Sequence, residues 1–344
     1  MVDFLRAHPP FDALEVADVE HAAAATEVEF FLAGAAIFAH SARPIEYLRV
    51  VRTGAVEIVR GDRVLDLLGP GQPFGRSHAS MASGLAPACA ARAQEDTLCY
   101  RIPEQAAPAV RARAQPGPPQ RAGHGAGAGA YKRARLPRGR TPWRDASYCA
   151  VDLELSGLDP KRHEILSYGA VPIEDGRVKL GDAVHGRVRP QRAISEASIR
   201  VHGIRAADLV DAPPLQDAID PLLAAMAGRI PVVHMAAIER GFLRPALRRH
   251  GLRLRKPMID TSVLGLVWLH ERDGHGPRHT SLGALAQALG LPSHHPHDAL
   301  GDALTTAQAF VAVATHLDAR RPETVRSLAS AERRLELLLP HRLI

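Results

Sequence analysis

The stretch VDLELSGLDP, residues 151–160, sets two carboxylates, Asp152 and Glu154, at alternate positions behind the apolar run YCAV. Alternate residues of a strand share one face, so both acids point one way and Leu153 the other. Two buried like charges repel, and each costs on the order of several kcal/mol to desolvate alone. They need a cation or a solvent-filled cleft. Glu239, after IPVVH, and Asp302, after HHPH, are sequence-distant acids that could complete such a site. Hard divalent cations such as Mg²⁺ take carboxylate oxygens. A pair of them about 3.5–4 Å apart suits in-line attack on a phosphodiester. His297, five residues before Asp302, stands where it can accept a proton from water.

The elements that must position these residues are legible in the pattern. YCAVDLE, EILSYGAVPI and VHGRVRP read as strands, and IPVVH as a fourth. PLLAAMA, IERGFLRPALRRHG, SLGALAQAL and DALGDALTTAQAFVAVATHL read as helices. That order predicts an α/β domain, a mixed sheet with flanking helices, over residues 147–318. Residues 319–344 are expected to be a C-terminal helical tail. Ahead of the α/β domain, LRVV and AVEIV alternate with Gly turns after a helical lead-in, FDALEVADVEHAAAA, which predicts a small β-rich domain over 1–103. Between the two, residues 104–146 hold 9 Lys and Arg against 2 Asp and Glu and show no sustained apolar period. This segment is expected to be a flexible basic linker, and its KRARLPRGR run could touch phosphates.

VDLELSGLDP, VHGI, VVHMAAIERGFL, IDTSVL and HHPHDALGDALTTAQAF follow one another at domain-like spacing over about residues 146–317. The series resembles the 3′–5′ exonuclease family with a four-acid-plus-His site, which includes the proofreading epsilon subunit of bacterial replicative polymerase, RNase T and oligoribonuclease. Asp152, Glu154, Ser156 and Gly157 match the family motif D-x-E-T-T-G, with Leu155 where Thr is usual. His297, Ala299 and Asp302 match H-x-A-x-x-D. The resemblance implies a ribonuclease-H-like fold, Mg²⁺ or Mn²⁺, a nucleic acid with a free 3′ end as partner, and release of nucleoside 5′-monophosphates. It implies metal-holding roles for Asp152, Glu154, Glu239 and Asp302, a catalytic role for His297, and nucleic-acid contacts at Ser156, His202, Gly203 and His234. The middle motif departs from the family. Where H-N-A-x-F-D is usual, this chain has His234 to Glu239, with Glu239 one methylene longer than Asp and Ile238 in the place of Phe. A longer arm could still reach a second metal through water.

Several neighbours carry simpler readings. Gly203 after VH is equally a helix stop. His294 and His295 beside His297 lack the further ligand that a zinc site needs, so a polar loop is expected. Asp298 reads as a helix cap rather than a catalytic acid, and Asp260 as a turn or cap acid. RPALRRHGLRLRKP, residues 244–257, is an Arg cluster, either a solvated helix face or a set of phosphate contacts beside the cleft.

The first domain resembles the cyclic-nucleotide-binding β-roll over about residues 4–103, chiefly through Gly54 in RTGAVEI and the turn Gly69-Pro70-Gly71 followed by Phe74-Gly75. Ligand binding in that family needs a Glu after Phe-Gly for the ribose hydroxyl and an Arg for the cyclic phosphate. Arg76 stands in the place of the Glu. Pro87 falls at the Arg position, or Arg92 if the alignment slips. These departures put cyclic-nucleotide binding in doubt and leave a roll used for packing or partner contact.

The chain of 344 residues carries a formal net charge of +6, and Cys89, Cys99 and Cys149 fit no disulfide or zinc framework. No long apolar run or basic leader is visible, so a cytoplasmic protein without a membrane span is expected. The reading is a metal-dependent 3′–5′ exonuclease for DNA or RNA. The rival reading is a nucleotide-sensing regulatory protein whose exonuclease-like domain binds nucleic acid without cleaving it.

Overall fold

The computed structural model describes residues 1–9, 11–39, 47–61, 63–75, 89–103, 106, 126–292 and 297–339. The chain divides into two compact units, Met1–Pro119 with Arg177–Gly181, and Gln120–Gly176 with Asp182–Ile344. Among the described residues, no helix is long and apolar enough to cross a membrane.

The first unit opens with helices α1 (Val2–Arg6) and α2 (Val16–Ala24). The described residues that follow form strands β1 (Glu27–Phe31), β2 (Ala36–Phe38), β3 (Tyr47–Thr53), β4 (Val56–Arg60), β5 (Arg63–Leu68), β6 (Pro73–Gly75), β7 (Ala90–Ala93) and β8 (Thr97–Pro103). They form two antiparallel sheets, ordered β1-β8-β3-β6 and β2-β7-β4-β5. Val51, Val56, Ile58, Leu68, Phe74, Ala91 and Cys99 close a common core. Gly54 turns the chain from β3 to β4 at φ +86°, where an added Cβ would lie 2.5 Å from the Thr97 hydroxyl. A β-roll is thus observed where one was expected. Arg76 and Pro87 lie outside the described residues.

The second unit starts within the expected linker and narrows it. Ala126–Arg133 is a helix, α3. Asp220 accepts hydrogen bonds from the Gly127 and Ala128 N–H groups, both at 2.9 Å, and so caps that helix from a distance in sequence. The Tyr131 hydroxyl bonds to the Arg253 carbonyl. The Gly- and Ala-rich composition concealed a helix that is held by partners rather than by its own propensity. Residues 104, 105 and 107–125 of the expected linker lie outside the described residues.

The sheet of this unit runs β14 (Ile259–Asp260), β13 (Ile230–Val233), β9 (Tyr148–Leu155), β10 (Ile165–Glu174), with β12 (Val184–Arg187) also paired to β10. β13 is parallel to β9 and β14, whereas β10 is antiparallel to β9, so the sheet is mixed. The short strand β11 (Arg177–Lys179) belongs to the first unit, where it pairs antiparallel with β1. Helices α4 (Glu196–His202), α5 (Leu215–Ala218), α6 (Asp220–Ala225), α7 (Ala236–Arg249), α8 (Thr261–Asp273), α9 (Leu282–Ala288) and α10 (Ala299–Arg320) flank it. The tail holds α11 (Val325–Ala329) and α12 (Ala331–Leu338).

The alternation in β9 does what the spacing predicted. Cys149, Val151, Leu153 and Leu155 join the core built with α6 and α7. On the other face, Tyr148 packs on Phe310 of α10 at 4.7 Å. Asp152 and Glu154 share the face of Tyr148. Helix α8, which the sequence pattern did not mark, is bounded by the Asp260 cap and by Gly274 at φ +74°.

Candidate metal centre

Asp152 and Glu154 leave the core near the end of β9, and Asp302 reaches them from the first turn of α10. One carboxylate oxygen from each of the three lies within 4.8 Å of the others. The long helix can start so close to the strands because Gly169 of β10, the partner of Asp152 in register, has no side chain. A Cβ there would stand 2.2 Å from the Ala299 carbonyl oxygen. Sequence reasoning missed Gly169; a lone Gly inside the strand run EILSYGAVPI was the available signal for a close approach.

The electrostatics of the cluster are unfavourable without a cation. Burial and then the charges of Glu239, Asp302, Glu154 and Asp298 push the Asp152 carboxyl well above the usual carboxylate range. Burial, then Asp302 and Asp298, push Glu154 up to about 7. Asp302 is raised by burial and partly relieved by the His297 N–H, which donates to its Oδ2 at 2.9 Å. Glu239 enters from the first turn of α7, outside the three-acid cluster. It is 5% exposed, its Oε2 is buried with no hydrogen-bond partner, and burial followed by the Glu154 charge raises its carboxyl strongly. Oxygen donors of this charge and spacing fit a hard divalent cation, which would cancel the repulsion.

His297 is exposed, at φ +63°, immediately before the helix cap. Asp298 is that cap, accepting from the Gly301 N–H at 2.9 Å, as its position predicted. Asp260 also behaves as a cap and does so twice. It accepts from the Ser262 N–H at 2.9 Å and from the Met235 and Ala236 N–H groups at 3.1 and 2.7 Å, joining the starts of α8 and α7. His294 and His295 lie outside the described residues.

The four residues expected to touch nucleic acid are placed differently from one another. Ser156 is fully buried, and its hydroxyl accepts from the Glu164 N–H at 2.9 Å. His234 is held between the Thr261 hydroxyl at 3.0 Å and the Thr280 carbonyl at 3.2 Å, and burial lowers its pKa. In His202 the Ile204 N–H donates to Nδ1, which leaves Nε2–H for the Leu155 carbonyl at 3.2 Å. Burial, and then the nearby His297, lower the His202 pKa. Gly203 ends α4 at φ +72°, with open space where a Cβ would stand.

Fold and site together define a class, a carboxylate cluster on a mixed α/β sheet in a chain that also folds a β-roll. Residues 149–310 match the family model described as exonuclease, and residues 28–113 match the cyclic nucleotide-binding domain. The second unit is therefore similar to an exonuclease domain and the first to a cyclic nucleotide-binding domain. The chain is 33% identical to DNA polymerase III PolC-type of Thermotoga petrophila over 49% of this chain and 12% of that protein. It is 34% identical to a DNA polymerase III subunit epsilon-like protein of Rhodobacter capsulatus over 52% of this chain and 25% of that protein. With DNA polymerase III subunit epsilon of Aquifex aeolicus it shares 26% identity over 50% of this chain and 83% of that protein. The chain thus spans a quarter or less of the length of the first two relatives.

Proposed function

We propose that this protein is a metal-dependent 3′–5′ exonuclease that hydrolyses DNA or RNA from a free 3′ end and releases nucleoside 5′-monophosphates. The observation that carries the reading is the convergence of Asp152, Glu154 and Asp302 within 4.8 Å at the end of a strand. Asp152, Glu154 and Asp302, with Glu239, would hold Mg²⁺ or Mn²⁺. The bound cations would supply positive charge against the phosphate and acidify a water. His297 accepts that water's proton. The water oxygen bonds to the terminal phosphorus as the P–O3′ bond breaks. The departing 3′-oxygen takes a proton from solvent, so the shortened strand keeps a 3′-hydroxyl, the terminal nucleoside leaves with its 5′-phosphate, and His297 returns its proton to solvent. Gly203 and His202 border the terminal nucleotide, whereas Ser156 and His234 hold the surrounding loops in place.

The deciding experiment incubates the protein with 5′-labelled single-stranded DNA and RNA in Mg²⁺, Mn²⁺ or EDTA, beside Asp152→Ala. A ladder shortening from the 3′ end, lost in EDTA and in the variant, is expected. Undiminished cleavage by Asp152→Ala overturns the site. Intact strands in every lane favour the binding-only reading, to which the longer Glu239 arm outside the three-acid cluster lends its support.

A further inference from the structure

The Arg cluster of residues 244–257 has not been used by the carboxylate centre. In the fold it lines a groove of about 460 Å³ between the outer side of α7 and the segment that leads into β14. Arg240, Arg244, Arg255 and Lys256 line this groove, together with Leu254, Pro257, Met258 and Ala329, and no carboxylate among the described residues does. Among the described residues, Arg240, Arg244 and Lys256 have no ion-pair or hydrogen-bond partner. Arg255 is fixed instead by neutral groups. Its guanidinium donates to the Lys132 and Ala134 carbonyls and lies 5.2 Å from the centre of the Tyr131 ring. Neutral partners hold that cation in place without cancelling its charge. Four uncompensated cations around one concave surface would repel one another, so the groove is complementary to a polyanion.

The helix that forms one wall also places the groove. Glu239, in the first turn of α7, faces the carboxylate centre, and Arg240 is its neighbour in sequence. Arg244 lies four residues further on, about 6 Å along the helix axis. One rigid element thus carries an acid of the candidate centre on its buried side and the first cations of the groove on another side. A strand whose 3′ end occupied the centre would have further phosphates within reach of such a row.

We propose that this groove binds the phosphodiester backbone of the substrate strand several nucleotides away from its 3′ end, and so makes affinity depend on strand length. The proposal rests on the reading of the chain as a nuclease acting at a 3′ end. Contacts of this kind go to phosphates alone, so they serve any base sequence. Each phosphate contact releases counterions and adds about 0.7 to the slope of log K against log salt for a single strand.

The test is fluorescence anisotropy of the full chain in EDTA with 5′-labelled single strands of graded length, across a salt series, beside Arg244→Ala/Lys256→Ala. Both side chains lack partners, and thermal melting checks that the variant folds. The wild type should gain affinity steadily with length. The variant should bind long strands about tenfold more weakly, with a salt slope smaller by about 1.4 for the two lost contacts. Arg244→Lys should retain most of the gain, because the charge is kept. Arg6→Ala/Arg187→Ala removes the same net charge elsewhere and should bind long strands more tightly than the groove variant. Equal loss in these two double variants, or an unchanged length dependence in the groove variant, overturns the proposal. Binding in EDTA is separate from turnover. A length-dependent defect without any cleavage in Mg²⁺ would sink the nuclease reading and keep the groove. Cleavage by the wild type with no groove defect would do the reverse.

Discussion

Glu154 shows how much of the site's behaviour sits in single side chains. An exposed glutamate titrates near 4.3, and here burial and the neighbouring acids raise it to about 7. Below about 4.3 the carboxyl is protonated in both folded and unfolded chains and the fold bears no penalty. Between about 4.3 and 7 the unfolded chain gives up a proton that the metal-free fold retains, so stability falls with rising pH and levels off once the folded carboxyl has also ionised. In EDTA, the midpoint of urea unfolding should therefore drop between pH 5 and pH 8. Glu154→Gln should flatten that fall, and parallel curves for the two proteins would remove Glu154 as its source. Divalent cation should act oppositely, protecting more as pH rises, because ligand carboxylates must lose their protons to bind. Glu239 invites a second test. Its buried Oε2 lacks a partner, so Glu239→Gln should raise the melting temperature in EDTA while lowering cleavage by about 10–100-fold. Unchanged cleavage would place Glu239 outside the machinery.

At the scale of elements, the centre depends on where three segments begin or end. Asp260 ties the starts of α7 and α8 together through four hydrogen bonds, the last from the Ser262 hydroxyl. Asp260→Ala should cost about 2 kcal/mol, the upper range for a helix cap, in urea unfolding. It should also reduce cleavage, because the first turn of α7 carries Glu239. Gly169 governs the approach of α10. With a Cβ 2.2 Å from the Ala299 carbonyl, Gly169→Ala has to push the helix start outward and carry Asp302 with it. Activity should fall by more than the loss of stability accounts for, measured as kcat at a temperature well below the variant's melting point. A variant that keeps its kcat would show that the helix can slide without moving Asp302.

At the scale of the whole molecule, one chain joins two units that match different family models, and Arg92 bears on what the first can bind. Arg92, the fallback partner for a cyclic phosphate, is tied to Glu57 of the neighbouring strand at 2.7 Å. With that guanidinium already engaged, cyclic AMP or cyclic GMP should leave the melting temperature unchanged. A ligand at a hundredfold its Kd would stabilise by about 2.7 kcal/mol, a shift that differential scanning fluorimetry resolves. A clear upward shift would return the roll to nucleotide sensing.

Local periodicity and local chemistry were enough to place strands β9, β10, β12 and β13, the shared face of Asp152 and Glu154, the caps at Asp298 and Asp260, and the helix stop at Gly203, whereas the two-residue strand β14 was too short to show a pattern. Each of these depends on neighbours within a few residues, where the pattern of side chains and the backbone period decide the outcome. Helix α3 was hidden in a Gly- and Ala-rich segment because Asp220, 92 and 93 residues away in sequence from the N–H groups it caps, holds it in place. The commitment of Ser156 and His234 to internal hydrogen bonds, the approach permitted by Gly169, and the upward shift of four carboxyls were likewise decided in three dimensions. A motif names the acids, but their repulsion depends on burial and on distances between segments far apart in the chain, and only the packed structure sets those.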